Sequence, residues 1–270
     1  MKFEIDGHTA YAYTGGKALD VSLPGIVFVH GALHDHSVWA LQSRYLAHHG
    51  HAVLAVDLPG HGRSIGPALS VADAARWLVQ LVALAGLQRV ALVGHSMGSL
   101  IALEAAAQMG GQVRALLMVC PAYPMTVSAS LMDLARRNAE AAIDQVNVLS
   151  NSTRAARPSS PGPGFSIHGG NRAVMRRMQR DYPHGNLFVA DFAACDRYVG
   201  LEAAAAKVRC PVTLVLGERD QMTPPKAAAP IAAALHPRKT VLLPAGHNLM
   251  AETPDGVLNA IVDALKQEAA

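Results

Sequence analysis

Only three cysteines occur in 270 residues, and Cys120, Cys195 and Cys210 lie far apart. That spacing makes neither a disulfide framework nor a Cys-x-x-Cys pair for metal or redox work. Isolated thiols of this kind ordinarily serve as small buried hydrophobes. Charge is scarce as well. Asp, Glu, Lys and Arg make up 16% of the chain, the formal net charge is +3, and there is no Lys/Arg tract, so no nucleic-acid partner is expected. No apolar run approaches the roughly 20 residues of a membrane span, so no integral membrane association is expected either. The opening Met1-Lys2-Phe3-Glu4-Ile5-Asp6 puts acids where a signal peptide needs an apolar core. A reducing cytoplasm is the expected location.

What the chain has is apolar residue, 51% of it, with a mean hydropathy of +0.20. That is enough for one sizeable core carrying an insertion. Residues 2–14 alternate apolar and polar around Asp6-Gly7, the pattern of a hairpin. Ile26-Val27-Phe28-Val29, Ala52-Val53-Leu54-Ala55-Val56, Val90-Ala91-Leu92-Val93 and Ala115-Leu116-Leu117-Met118-Val119 are continuous apolar runs, suited to strands buried on both faces. Between the second and third, Ser70 and Asp73 form a capping box for a helix that Gly86 closes. Strands alternating with helices predict an α/β fold, a mostly parallel twisted sheet flanked by helices, with ligands at the strands' carboxyl ends.

The alternation stops at Pro121. From there to about Leu201 the pattern gives helical pieces near 129–148 and 171–180, separated by an irregular Pro/Gly/Ser stretch at 157–164. Strands resume at Val212-Thr213-Leu214-Val215-Leu216-Gly217 and Thr240-Val241-Leu242-Leu243, and a last helix runs from Pro254 to Gln267. The expected division is a core of residues 1–121 and 201–270, with residues 122–200 as a helical cap inserted after the strand ending near Cys120.

Gly94-His95-Ser96-Met97-Gly98 stands between a strand and a helix-forming run. A serine at such a corner has its oxygen projected out of the sheet, and the helix N-terminus behind it supplies N–H groups for a developing anion. Its hydroxyl needs a base, and the base needs an orienting acid. Asp220, just past one strand end, and His247, just past the next, are the candidates. Backbone N–H groups of Met97 and of Ala32, in the loop His30-Gly31-Ala32-Leu33, are the expected oxyanion hole. Glu218 is a rival acid earlier in its turn, and Asp57 reads as a carboxylate bonding the Gly-rich loop after it.

These residues carry a resemblance. With Asp57-x-x-Gly60-x-Gly62-x-Ser64, Thr223-Pro224 and Gly246-His247, the chain resembles a capped, serine esterase-like α/β-hydrolase over nearly its whole length, although Ser99 stands where many members carry glycine. The resemblance implies a cofactor-free hydrolase working through an acyl-enzyme on a small-molecule ester. It leaves open a C–C hydrolase of diketo acids, a haloperoxidase side activity and a non-catalytic ligand-binding homologue.

Thirteen histidines invite a metal reading, but neither His34-Asp35-His36 nor His48-His49-Gly50-His51 has Zn-protease spacing, so no metal is expected. His34 and His36 are expected near the site's mouth and His95 as a packing residue. Leu33, Tyr123, Phe165, Phe188 and Phe192 are the candidate pocket residues. Among Arg136, Arg137, Arg172, Arg176, Arg177 and Arg180, a solvated helix face competes with one inward arginine clamping a substrate carboxylate. Oligomeric state is left open.

Overall fold

The computed structural model describes residues 1–152 and 166–266. Lys2–Ile5 (β1) and His8–Tyr13 (β2) form the expected hairpin. Asp6 and Gly7 between them take φ values of 52° and 76°, as a two-residue type I′ turn demands. β2 pairs antiparallel with Ala52–Asp57 (β4), and every later pairing is parallel. The remaining strands are Gly25–Val29 (β3), Val90–His95 (β5), Val113–Val119 (β6), Val212–Gly217 (β7) and Lys239–Leu243 (β8). They assemble one sheet in the order β1-β2-β4-β3-β5-β6-β7-β8.

Period-two alternation divides the core into two layers. Val27, Val29, Leu54, Val56 and Leu92 face Val71–Leu84 (α2) and Met97–Met109 (α3). Ile26, Phe28, Val53, Ala55 and Val93 face Ala40–Ala47 (α1) and the terminal helix Pro254–Lys266 (α11). The Ser70 side chain caps α2 by accepting from the Asp73 N–H. Edge strand β8 buries none of its five residues. The chain runs from β3 outward to β4 on one side and then crosses back to β5 on the other. Such a switch point opens a crevice at the carboxyl ends of β3 and β5.

Between β6 and β7 come Ala129–Arg137 (α4), Ala139–Leu149 (α5), Ile167–Asp181 (α6) and Leu187–Asp196 (α7), then Leu201–Ala205 (α8). Ala229–Leu235 (α9) and Leu249–Glu252 (α10) complete the helices used here. Ser128, Asn138, Ser166 and Asn186 cap α4 to α7 with side-chain acceptors. A third apolar cluster joins α4–α7 and closes on Leu33, in the loop after β3.

α7 was not expected. Its buried Leu187, Phe188, Asp191, Phe192 and Cys195 share one face, but Asp191 breaks the apolar stripe there and Val189, Ala190, Ala193 and Ala194 leave the rest of the helix apolar too, so no amphipathic pattern marks it. Along that face Phe188 joins the inserted cluster and Cys195 the main core. The core therefore begins to recruit residues before position 201. The irregular stretch at 157–164 lies outside the described residues. Among the described residues, no helix is long and apolar enough to cross a membrane.

Candidate active site

The turn from β5 into α3 is as tight as its sequence implies. Ser96 sits at φ 53°, ψ −120°, a strained backbone costing of order 1–3 kcal/mol. A Cβ on Gly94 would stand 2.1 Å from the Gly98 carbonyl oxygen, and one on Gly98 would stand 2.4 Å from the His30 carbonyl oxygen. Backbone contacts on both sides thus require glycine at both positions. Ser99, the departure from the family pattern, donates its hydroxyl to the Ser96 carbonyl at 2.5 Å, beside its own N–H at 2.8 Å.

Asp220 and His247, 27 residues apart and past the ends of β7 and β8, meet with Nδ1 2.8 Å from Oδ2. The other Asp220 oxygen accepts the Met222 and Thr223 N–H groups, both at 2.8 Å. The Thr223 hydroxyl lies 2.9 Å from Asp220 Oδ2 and 3.0 Å from both His247 Nδ1 and the Cys120 carbonyl. Burial alone would raise the Asp220 pKa, but His247 and the Thr223 hydrogen bonds hold it below the usual carboxylate range. An ionised carboxylate only accepts, so Nδ1 of His247 carries the proton and Nε2 is left as a base. Glu218 is exposed. His95 packs beneath, its Nε2 donating to the His247 carbonyl at 2.9 Å, and burial keeps its ring neutral.

Ser96, His247 and Thr223 open onto a small cavity of about 70 Å³, lined also by Met125, Val146, Met175 and Phe192 from the insertion. Among the described residues no Asp, Glu, Lys or Arg lines it; its titratable groups are His34, His95, His247 and the Cys195 thiol, whose pKa burial pushes up. Ala32 is on its wall, and the loop around Ala32 is pinned peptide by peptide. The Gly31 carbonyl accepts from His30 Nδ1 at 2.8 Å, the Ala32 carbonyl accepts from His34 Nδ1 at 2.7 Å, and the Leu33 N–H donates to Asp191 at 2.8 Å. No hydrogen bond among the described residues engages the Ala32 or Met97 N–H.

Of the candidate pocket residues, Phe192 lines the cavity. Leu33 and Phe188 do not: both are fully buried in the packing behind it, Phe188 stacked on Phe192 at 4.1 Å. Tyr123 is turned away, its ring against Tyr198 and its hydroxyl 3.4 Å from Glu202. Phe165 lies outside the described residues. Met97, a further candidate beside its oxyanion role, is not in the lining, whereas Met125, Met175 and Met222 are, and an unbranched apolar side chain looks the same in sequence whether it fills core or pocket. His34 lines the cavity, whereas His36 turns to Asp57 at 2.7 Å. Asp57 also accepts the Arg63 N–H at 2.9 Å, a structural role.

None of the six candidate arginines lines the cavity. Arg136 meets Asp133, Arg172 and Arg176 meet Asp144, Arg177 meets Asp35, and Arg180 meets Asp181. Among the described residues, two histidine-containing groups have donor atoms close enough for an ion, His95/Cys120/His247 and Asp35/His36/Asp57. Protein hydrogen bonds already occupy the second, and in the first His247 Nδ1 is held by Asp220 while His95 Nε2 and Cys120 both reach the His247 carbonyl.

Human monoacylglycerol lipase ABHD6 is 25% identical over 265 residues, covering 90% of this chain and 75% of that protein. The (E)-2-((N-methylformamido)methylene)succinate hydrolase of Acinetobacter baylyi is 37% identical over 78 residues, 28% of this chain and 29% of the relative. Several matched relatives share only about a third of their length with this chain. Among solved structures, a thermophilic esterase superposes with a TM-score of 0.80 at 19% identity, covering 99% of this chain and 97% of that one. The enol-lactonase of Burkholderia xenovorans LB400 gives 0.76 at 20% identity, covering 98% and 100%. The model of the alpha/beta hydrolase family matches residues 26–260, and the chain belongs to that family.

Proposed function

We propose that this protein is a serine hydrolase of carboxylic esters, thioesters and lactones included, with small or medium apolar acyl groups. Ser96 Oγ attacks the carbonyl carbon while His247 Nε2 takes its proton, and Asp220 stabilises the imidazolium that forms. The Ala32 and Met97 N–H groups receive the oxyanion. The alcohol leaves with the proton from His247. Water then attacks the acyl-enzyme, giving its proton to His247, and the acid is released as Ser96 regains its hydrogen. Residues 122–200 act as the cap that shapes the acyl site.

The observation that carries this reading is the shared cavity: Ser96 and the Asp220-bonded His247 open onto one largely apolar space. Among the described residues no lysine or arginine lines it to receive the carboxylates a diketo acid would bring, which favours ester cleavage over C–C cleavage. The test is hydrolysis of p-nitrophenyl esters from acetate upward. Turnover should peak at one acyl length and fall about 10⁶-fold in Ser96→Ala. A folded protein that turns over no ester and takes no fluorophosphonate at Ser96 overturns the reading in favour of a non-catalytic binder.

A further inference from the structure

The loop that carries Ala32 is held from across the molecule. Asp191 lies on α7, 158 residues from Leu33 in sequence, and its Oδ2 accepts the Leu33 N–H at 2.8 Å. Leu33 sits at φ 58° with its side chain fully buried. A branched residue does not take up that left-handed backbone unaided; the cost is about 1–2 kcal/mol. Something must hold it there.

The same carboxylate oxygen lies 2.9 Å from His61 Nε2. The other ring nitrogen of His61 faces the Pro59 carbonyl at 3.1 Å. A carbonyl can only accept, so Nδ1 bears a proton, and Nε2 faces a carboxylate that needs one. Both side chains are almost wholly buried, 1% and 2% exposed. Burial opposes the charge on His61, yet Asp191 outweighs it and the ring's pKa lies above its ordinary value. His30 is the other ring packed here, its centroid 4.9 Å from that of His61. It accepts the Leu58 N–H on Nε2 and donates Nδ1–H to the Gly31 carbonyl, so it is neutral. Asp57 adds a more distant negative charge. Asp191 and His61 are thus a buried ion pair bridging insertion and core, and the Leu33 peptide hangs from it.

The consequence is geometric. The peptide after Ala32 is clamped at both ends, its C=O by His34 and its N–H by Asp191, and the peptide before Ala32 has its C=O held by His30. The Ala32 N–H belongs to the earlier of these planes, opposite the Gly31 carbonyl, and the neighbouring plane clamped by His34 and Asp191 limits how it can turn about Ala32. We propose that Asp191 is a positioning residue for hydrolysis: it fixes the Leu33 peptide so that the Ala32 N–H is aimed at the developing oxyanion, and His61 holds its carboxylate in place. The proposal rests on the ester-hydrolase reading above and on Ala32 as an oxyanion donor.

The experiment measures kcat and KM for p-nitrophenyl acetate, together with inhibition by a trifluoromethyl ketone whose serine adduct carries an oxyanion. Wild type, Asp191→Asn, His61→Gln, His61→Ala and Ser96→Ala are compared. An oxyanion donor is worth about 10²–10³ in kcat, so its misalignment in Asp191→Asn should lower kcat by about tenfold or more. KM should stay within about twofold, and the ketone's inhibition constant should rise by the same factor as kcat falls. His61→Gln keeps a donor to Asp191 and should retain more activity than His61→Ala. This pair gives the answer if the Asp191 variant does not fold. Unchanged kcat and ketone affinity in Asp191→Asn, or equal activity in the two His61 variants, overturns the proposal while the loss in Ser96→Ala upholds the ester reading. Full turnover by Ser96→Ala overturns both.

Discussion

At the scale of single residues, much of the site's chemistry is local and was therefore legible. Gly94 and Gly98 announce a turn because no side chain fits there: a Cβ on Gly98 would stand 2.4 and 2.5 Å from the His30 and Val29 carbonyl oxygens. Those contacts are backbone and cannot swing aside. Gly98→Ala should therefore destabilise the fold by several kcal/mol, about 3, and abolish ester turnover; thermal melting and the p-nitrophenyl assay check it. Asp220 answers to pH. Its folded pKa is below its unfolded value near 3.9, so its stabilising contribution is complete above that value and is lost as pH falls through the folded pKa. The stability gap between wild type and Asp220→Asn, read from urea midpoints, should be constant near neutrality and shrink in acid. The pocket residues are harder to read from sequence for an equally physical reason. Leu33, Phe188 and Phe192 look alike in sequence, and only packing sends Phe192 to the cavity and the other two behind it.

At the scale of elements, the sheet strands were readable because burial on both faces leaves continuous apolar runs, and α2 because it has a cap and one apolar face. α7 has one buried face, but Asp191 interrupts it and Val189, Ala190, Ala193 and Ala194 outside it are apolar as well, so periodicity could not find it. Its start is marked by Asn186, whose Oδ1 accepts the Val189 N–H at 3.1 Å and whose Nδ2 donates to the Ala135 carbonyl of α4 at 2.8 Å. Asn186→Ala should cost about 1–2 kcal/mol, and hydrogen exchange should show faster opening of α7 with the strands of the sheet little affected. Phe192, projecting from the same helix into the cavity, sets its depth. Phe192→Ala should move the preferred acyl chain to a longer homologue, which the p-nitrophenyl ester series reads directly.

At the scale of the whole molecule, five of the six candidate arginines are paired with acids, and among the described residues no Asp, Glu, Lys or Arg lines the space over Ser96. A half-ester of a dicarboxylic acid should accordingly be a poorer substrate than the neutral ester of equal length, by at least about tenfold in kcat/KM, since its free carboxylate would be buried unpaired. Such global properties depend on which side chains meet across the fold, and the sequence holds no local trace of them. The switch between β4 and β5 was the part of the topology that mattered most, because it sets where a ligand can enter.

The contacts that assemble the site join distant parts of the chain: Asp191 to Leu33 across 158 residues, and His95 to His247 across 152. A nascent chain leaving the ribosome exposes Ser96 long before Asp220 and His247 have been translated. On the proposed mechanism the early product has a serine hydroxyl with no base to activate it. Hydrolytic competence therefore arrives late in synthesis, when the strands beyond the insertion dock, and the first appearance of fluorophosphonate labelling in a timed translation marks the completion of the fold.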